Sequence, residues 1–382
     1  MLTNRECYIL LNLIPDIGSL RLKRLLEHFG SLERLWRAAV PELQRVRGIG
    51  PLLAHQIATG RRNTRGLADE LALAGRSGVQ IVTLDDAGYP KPLRDIPDPP
   101  LALYLRGTLP AESEPVVAMV GSRHASPYGV EVAERLSYDL ALRGVVIVSG
   151  LARGIDGAAH RGALKAKGRT LALLGNGLAS IYPPEHDALA KQIAASGALI
   201  SEYPMRMAPR AQHFPRRNRL ISGLAAGVVV VEAARRSGAL ITCDCALEQG
   251  REVFAVPGKI TTLTAQGTNQ LLREGATLVT CAEDIVEELG LADRAVASPP
   301  TLSAEEQRLL AQLRAGEPLD VDTVASATGL PAAACAAALL SLELKHAVTQ
   351  LPGKRFVKRE DSSHHQGRGS QVSDTFQSGK GV

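Results

Sequence analysis

The sequence predicts an α/β protein: a Rossmann-type, doubly wound parallel sheet, flanked by a small N-terminal helical domain and a C-terminal winged-helix domain. Three observations carry this. Between residues 115 and 290, six short apolar runs recur with helical stretches between them. The runs are almost continuous in apolar residues, as strands covered on both faces require. The two ends differ in kind. The first 75 residues repeat one phrase, as Asp16-Ile17-Gly18 and Gly48-Ile49-Gly50, and the stretch after residue 300 has helix–turn–helix spacing followed by a Pro-Gly turn.

At 382 residues the chain exceeds one typical domain, and 45% hydrophobic with 22% charged residues is ordinary globular composition. The formal net charge of +5 permits a polyanion partner without requiring one. Aromatic residues make up only 3%, so a nucleic acid would be gripped through its backbone rather than by base stacking. The five cysteines are irregularly spaced, with no zinc-ligand pattern, and read as free thiols in a reducing compartment. The N-terminal residues carry charge and no small-residue cleavage site, so no signal peptide is expected. No uncharged apolar run reaches about 18 residues, so no membrane span is expected. A cytoplasmic protein without a cofactor is the expectation.

Residues 1–75 read as short helices. The repeated Ile-Gly turns resemble helix-hairpin-helix (SAM-like) units, whose backbone N–H groups can meet a phosphate. A plain helical bundle using glycine for tight turns explains them equally well. Asp16 replaces the first glycine in the first copy. Residues 76–114 are rich in proline and read as an irregular connection packed on the next domain, with one strand near 79–82.

In the central domain, 115–290, strands are expected at 116–120, 145–149, 170–174, 198–201, 227–231 and 252–256. Ser126 should cap the helix after the first strand, with Pro127 at its first position. Residues 291–300 read as a linker, 301–358 as the winged helix and 359–382 as a disordered tail. In the winged helix, helices are expected at 305–313, 321–328 and 331–344, and wing strands at 347–350 and 355–358. Its recognition helix, Ala332 to Ala338, is alanine-rich and offers no donor to a base or a phosphate. Protein contact or a structural role is therefore preferred over duplex reading.

Ligands of open parallel sheets bind beyond the carboxyl ends of the strands. Here those ends carry Gly121-Ser122-Arg123, Ser149-Gly150 with Arg153-Gly154, Gly175 and Gly177, Ser201-Glu202, Glu232 with Ser237-Gly238, and Gly258-Lys259. Between the fourth and fifth strands enters Phe214-Pro215-Arg216-Arg217-Asn218-Arg219. From Arg206 to Arg219 there are five arginines and no carboxylate. Arginine forks, serine hydroxyls and glycine-bared amides describe a phosphate-binding rim. The rim lacks the G-x-G-x-x-G and Walker patterns, which disfavours dinucleotide and nucleoside triphosphate chemistry.

Asp156 and His160, four apart, could form an acid/base pair. The preferred reading makes Asp156 a helix cap and His160 its surface-packed neighbour. Glu202 and Glu232 could act as general bases, or could hold Arg153, Arg217 or Arg219 in place, which is preferred. No catalytic triad can be assembled.

At these residues the chain resembles the DNA-processing protein A family (DprA, also called Smf). The matching phrases are Gly121-Ser122-Arg123, the stretch from Ser149 to Asp156 with Ala159-His160, Tyr182-Pro183, Ser201-Glu202, the stretch from Phe214 to Arg219, Glu232-Ala233, the stretch from Ser237 to Thr242, and Ala255-Val256-Pro257-Gly258. Pro184 and His186 stand where members often carry a lysine and an asparagine. The resemblance implies an extended Rossmann fold that binds single-stranded DNA and delivers RecA to it in natural transformation. It also implies dimerisation through the central domain. By analogy Arg123 is a principal phosphate ligand, joined by Arg216 to Arg219 and the glycine-rich exits.

The function expected is thus non-enzymatic single-stranded DNA binding. The alternatives are a nucleotide N-glycosidase using Glu202 or Glu232, and a duplex-binding regulator working through the winged helix.

Overall fold

The computed structural model describes residues 2–291, 302–314, 317–344 and 347–358. Apart from Leu291, the expected linker and tail lie outside the described residues. The chain divides into two compact units, Met1–Ala297 and Ser298–Val382.

The first unit opens with six helices: α1 (Asn4–Leu13), α2 (Ser19–Phe29), α3 (Leu32–Arg37), α4 (Val40–Gln44), α5 (Pro51–Gly60) and α6 (Thr64–Arg76). Thr3 and Glu6 form a capping box on α1. Leu11, Leu22, Leu25, Leu35, Leu43 and Ile57 close the core of this module. Ile9 and Leu10 on the other side of α1 pack instead with strand residues Ile81 and Tyr104, so the helices share a core with the sheet.

The sheet has nine strands: β1 (Gln80–Thr83), β2 (Ala102–Gly107), β3 (Val116–Val120), β4 (Val146–Ser149), β5 (Thr170–Leu174), β6 (Ala198–Ser201), β7 (Gly227–Val230), β8 (Glu252–Ala255) and β9 (Thr277–Leu278). Their order is β1-β2-β6-β5-β4-β3-β7-β8-β9. From β6 to β9 all pairings are parallel, while β1 and β2 add antiparallel. The six expected strands are present to within one residue at each end. They are buried nearly throughout, which is why their sequences carry no alternation.

The 76–114 stretch corrects the expectation of an irregular connection, because it supplies both antiparallel strands. Leu101 to Leu105 are all buried, a core run that directly follows Pro99-Pro100. Proline cannot donate into a ladder and so marks the start of β2 rather than its absence.

Eight α-helices complete the unit: α7 (Lys91–Arg94), α8 (Pro127–Leu142), α9 (Ile155–Lys165), α10 (Asp187–Ser196), α11 (His213–Leu224), α12 (Gly238–Glu248), α13 (Gln266–Arg273) and, at its end, α14 (Ala282–Glu288). Ser126 caps α8 by accepting from Gly129 N, with Pro127 at the first position, as expected. α8, α9 and α14 cover one face through Leu136, Leu140, Ala159 and Ile285. α11 and α12 cover the other through Leu220, Ile221, Ala239 and Cys243. Each such leucine or isoleucine withdrawn from water stabilises the fold by about 1.5–3 kcal/mol. The strand order reverses between β3 and β7, which places a crevice at their carboxyl ends.

The second unit holds α15 (Ala304–Gln312), α16 (Val321–Thr328) and α17 (Ala332–Leu344), with a sheet of order β10-β12-β11 built from Leu319–Asp320, Arg355–Lys358 and Val348–Leu351. Ser303 and Glu306 box the start of α15, and Asp320 caps α16. Gly329, at φ 70°, ends α16 in the left-handed conformation that the turn between α16 and α17 needs. This is the expected winged helix. All five cysteines are free, and Cys7, Cys243 and Cys335 are buried. No single helix among the described residues is long and apolar enough to cross a membrane.

Candidate nucleic-acid interface

At the β3/β7 reversal lies an open furrow of about 730 Å³, lined by the loop after β3, the start of α11, and the segment from Ala234 into α12. Two helices, α11 and α12, begin at its walls, so their N-terminal N–H groups favour a negative charge inside it.

The β3 exit is stitched to its neighbours. Ser122 N donates to Glu232 O (2.7 Å) and Ile155 N donates to Ser122 O (3.2 Å). A Cβ on Gly121 would lie 2.6 Å from Ile155 Cγ1 and 2.9 Å from Glu232 O, so only glycine lets these strand exits meet. Arg123 then emerges exposed, its guanidinium 5.2 Å from the centroid of the Phe214 ring. Phe214 also faces Tyr182, at 5.5 Å. Arg123 makes no ion pair among the described residues.

The arginines of α11, grouped by the sequence as one cluster of phosphate ligands, have separate fates. Arg216 is exposed and stands beside Gly18 of the helical module. Arg217 is only 3% exposed, though it lines the furrow floor. Its Nη1 donates to Gly150 O (2.9 Å) and to Leu173 O, which ties α11 across the ends of β4 and β5. Burial pushes its pKa down to about 10, with the nearby Asp156 carboxylate opposing the shift, so it stays charged at neutral pH. Arg219 is neutralised internally: it grips both oxygens of Glu202 (3.0 and 2.8 Å), and its Nε reaches Asp98 (3.3 Å). Asn218 turns to Gly238 O (3.1 Å) and joins α11 to the start of α12.

Several other rim residues are structural as placed. Ser149 is fully buried and donates to Met119 O (2.6 Å). Gly150 has no room for a side chain because the Arg217 guanidinium fills it, with Cζ 2.7 Å from the Cβ position. Gly154, at φ 71°, lies against the backbone of Ser122 and Arg123; Gly175 lies against the Phe214 ring and Gly177 against the carbonyls of Pro204 and Met205. These glycines serve close packing of the chain on itself rather than approach of a ligand. Arg153 is exposed but paired with Glu185. Lys259 is exposed on the β8 exit and does not line the furrow. Of the expected rim, the furrow brings together Gly121, Ser122, Arg123, Phe214, Arg217, Asn218, Ser237 and Gly238.

His124 and Arg236 also line it, beyond the residues singled out from sequence, as does Tyr182, which the sequence offered only within the family phrase Tyr182-Pro183. Arg236 was legible, since it immediately precedes Ser237-Gly238 at the same strand exit.

The carboxylates considered as bases are engaged. Glu202 is held by Arg219, as preferred from sequence. Glu232 binds no arginine. It accepts from Ser126 N (2.9 Å) and Ser126 Oγ (2.5 Å), securing the start of α8. Asp156 is not the helix cap, a position held by Gly154. It is buried and accepts from Gly150 N (3.1 Å) and Ala152 N (3.3 Å). His160 is not a surface neighbour: it is fully buried, with Nδ1 2.7 Å from Thr170 Oγ1, and burial drives its pKa down to about 3. Short helix α9 lies so deep that its whole Asp156/His160 face is interior.

Comparison with known proteins agrees with this architecture. The family model for DNA recombination-mediator protein A matches residues 80–290, that for the DprA winged helix domain matches 292–354, and a helix-hairpin-helix motif matches 9–63. Protein Smf of Escherichia coli is 44% identical over 284 residues, covering 72% of this chain and 76% of that protein. DNA processing protein DprA of Bacillus subtilis is 44% identical over 57% of this chain and 74% of its own length. Among solved structures, DprA of Streptococcus pneumoniae superposes with a TM-score of 0.65 at 35% identity, covering 75% of this chain and 98% of that one. DprA of Helicobacter pylori, described for its single-stranded DNA binding mode, gives 0.50 at 31% identity, over 57% and 99%. The chain belongs to the DNA recombination-mediator protein A family, DprA/Smf.

Proposed function

We propose that this protein binds single-stranded DNA along the furrow, shields it, and loads RecA recombinase onto it during natural transformation and homologous recombination. It does so as a cytoplasmic homodimer joined through the Rossmann domain, and it is not an enzyme. The observation that carries the DNA reading is Arg123. It is exposed at the mouth of an open furrow, it has no carboxylate partner among the described residues, and the N-termini of α11 and α12 lie along the same furrow. Support also comes from the Helicobacter pylori relative, whose single-stranded DNA binding mode is described.

In this reading Arg123 and Arg236 hold phosphates from two strand exits, and the open amide of Gly238 offers a donor at the start of α12. Phe214 and Tyr182 give an unstacked base an apolar shelf, which a paired base in a duplex cannot reach. The engagement of Glu202 and Glu232 argues against the glycosidase alternative, since neither carboxylate is free to activate water.

The test is competition binding of single-stranded against duplex DNA at two ionic strengths. Single strands should win, with affinity falling steeply as salt rises. Equal affinity for both forms, or binding insensitive to salt, overturns the reading.

A further inference from the structure

Arg219 lies on α11 without lining the furrow, and both carboxylates that hold it are held in turn by the helical module. Ser19, the buried first residue of α2, donates its Oγ to Asp98 Oδ1 (2.6 Å). Arg219 Nε donates to the other oxygen of the same carboxylate (3.3 Å). One half-buried side chain thus takes a donor from the module on one oxygen and a donor from α11 on the other. Asp98 precedes Pro99-Pro100, whose fixed φ angles leave its backbone little freedom. Glu202 takes the two remaining arms of the guanidinium, and its own carbonyl accepts from Asn12 Nδ2 (3.1 Å). Asn12 and Ser19 stand on either side of the turn between α1 and α2, so the module reaches Arg219 by two routes.

From Arg219 the contacts run on to the furrow. Its Nη1 also donates to Arg216 O (3.3 Å), near the start of α11. That part of α11 presents Phe214, Pro215 and Asn218 to the furrow. Phe214 is the ring that lies under the Arg123 guanidinium and faces Tyr182. A chain of printed contacts therefore leads from Ser19 through Asp98 and Arg219 to the wall that carries the aromatic shelf.

Charge and geometry predict opposite roles for Asp98. One guanidinium against two carboxylates leaves an excess negative charge beside a site for a polyanion. By charge alone, removing Asp98 should tighten a strand's binding. If Asp98 holds α11 in place, removing it should weaken binding instead.

We infer that Ser19 and Asp98 are positioning residues for the furrow: through Arg219, the helical module sets where α11 presents Phe214 to a strand. Neither residue touches the strand, and the module's part in binding needs no contact of its own with DNA. The inference rests on the furrow reading.

The experiment uses the full chain and fluorescence anisotropy with a single strand of about 10 nucleotides, titrated at several salt concentrations. Circular dichroism confirms that each variant is folded at the assay temperature. The variants are S19A, D98N, F214A and S19A/F214A. S19A should bind several-fold more weakly. It deletes a hydroxyl and no charge, so its salt slope should equal the parent's. D98N should also weaken binding, because an amide cannot accept from both donors at once. S19A/F214A should be no weaker than F214A, since the clamp acts through Phe214.

A pair that only stabilises the fold would lower the melting temperature and leave the folded protein's affinity untouched, and parental affinity in both S19A and D98N overturns the inference. Tighter binding by D98N does so too, as charge would then govern. A reduced slope in S19A would mean a lost phosphate contact, and losses that add in S19A/F214A would mean a route other than Phe214; either result is fatal to it. Should S19A not fold, D98N alone and combined with F214A carries the same test. Arg123→Ala keeps the two readings apart. If R123A weakens binding while S19A and D98N match the parent, the clamp fails and the furrow stands. If R123A matches the parent, the furrow reading fails whatever S19A does.

Discussion

Arg123 and Arg217 look interchangeable in sequence, and the structure makes their loss separable. Arg217 is 3% exposed, and Asp156, a carboxylate whose charge it feels, is 6% exposed. Replacing Arg217 with alanine removes a cation near a buried carboxylate. It also strips the donor from the carbonyls of Gly150 and Leu173. Stranding these two carbonyls costs about 1–3 kcal/mol each. In a unit of this size that lowers Tm by at least about 4 °C, taking about 2 °C per kcal/mol. Arg217→Lys should recover only part, because an ammonium cannot reproduce the planar fork that spans two carbonyls.

Arg123 is exposed and unpaired, so Arg123→Ala should leave stability within about 0.5 kcal/mol. It should instead weaken single-strand binding for all sequences alike and reduce the salt slope by about 0.7, the share of one phosphate contact. Thermal unfolding followed by circular dichroism, together with anisotropy titrations at several salt concentrations, measures both. An R217A protein that melts with the parent would refute the strut assignment, and an R123A protein with parental affinity and slope would refute the phosphate assignment.

Gly177→Ala would drive a methyl group into the carbonyls of Pro204 and Met205, backbone atoms that cannot swing away. A loss of about 2–3 kcal/mol is expected in urea denaturation, and a midpoint like the parent's would contradict it. Glu232→Ala removes both acceptors from Ser126 and should destabilise by about 1–2 kcal/mol, read in the same assay, without abolishing DNA binding. His160 is held near pKa 3 in the fold against 6.5 for a free side chain, so the unfolded chain takes up the proton first as pH falls. Its contribution is fully present above pH 6.5 and is lost progressively towards pH 3, amounting to a few kcal/mol, about 1.4 per pH unit. His160→Asn should flatten the fall in stability between pH 6 and 4, and an unchanged profile would show that another group governs it.

What the sequence reveals and what it conceals follow from the range of the forces involved. Six of the seven parallel strands could be read to within a residue because burial on both faces leaves a local mark, an unbroken apolar run, and Ser126-Pro127 marks a helix start by local chemistry alone; the two-residue β9, only half-buried, leaves no such mark. β2 went unread because Pro99 and Pro100, which only delimit it, outweighed the five core residues that follow. The fates of the arginines could not be read at all. Arg219 is silenced by Glu202, 17 residues away, and by Asp98, 121 residues away; Arg217 is spent on carbonyls 67 and 44 residues distant. Nothing in the order Arg216-Arg217-Asn218-Arg219 distinguishes the exposed member from the buried strut and the neutralised clamp. On one helix those residues point in different directions, and the tertiary fold decides what each direction meets. The same reasoning explains why a count of cations near a rim overstates its grip on an anion. Local charge density is fixed by sequence, but the charge left unpaired is fixed by packing. Of the arginines singled out at the rim, packing leaves Arg123 at the furrow mouth and Arg216 at its border with the helical module, and the hold on a strand should depend on these and on Arg236 across the furrow.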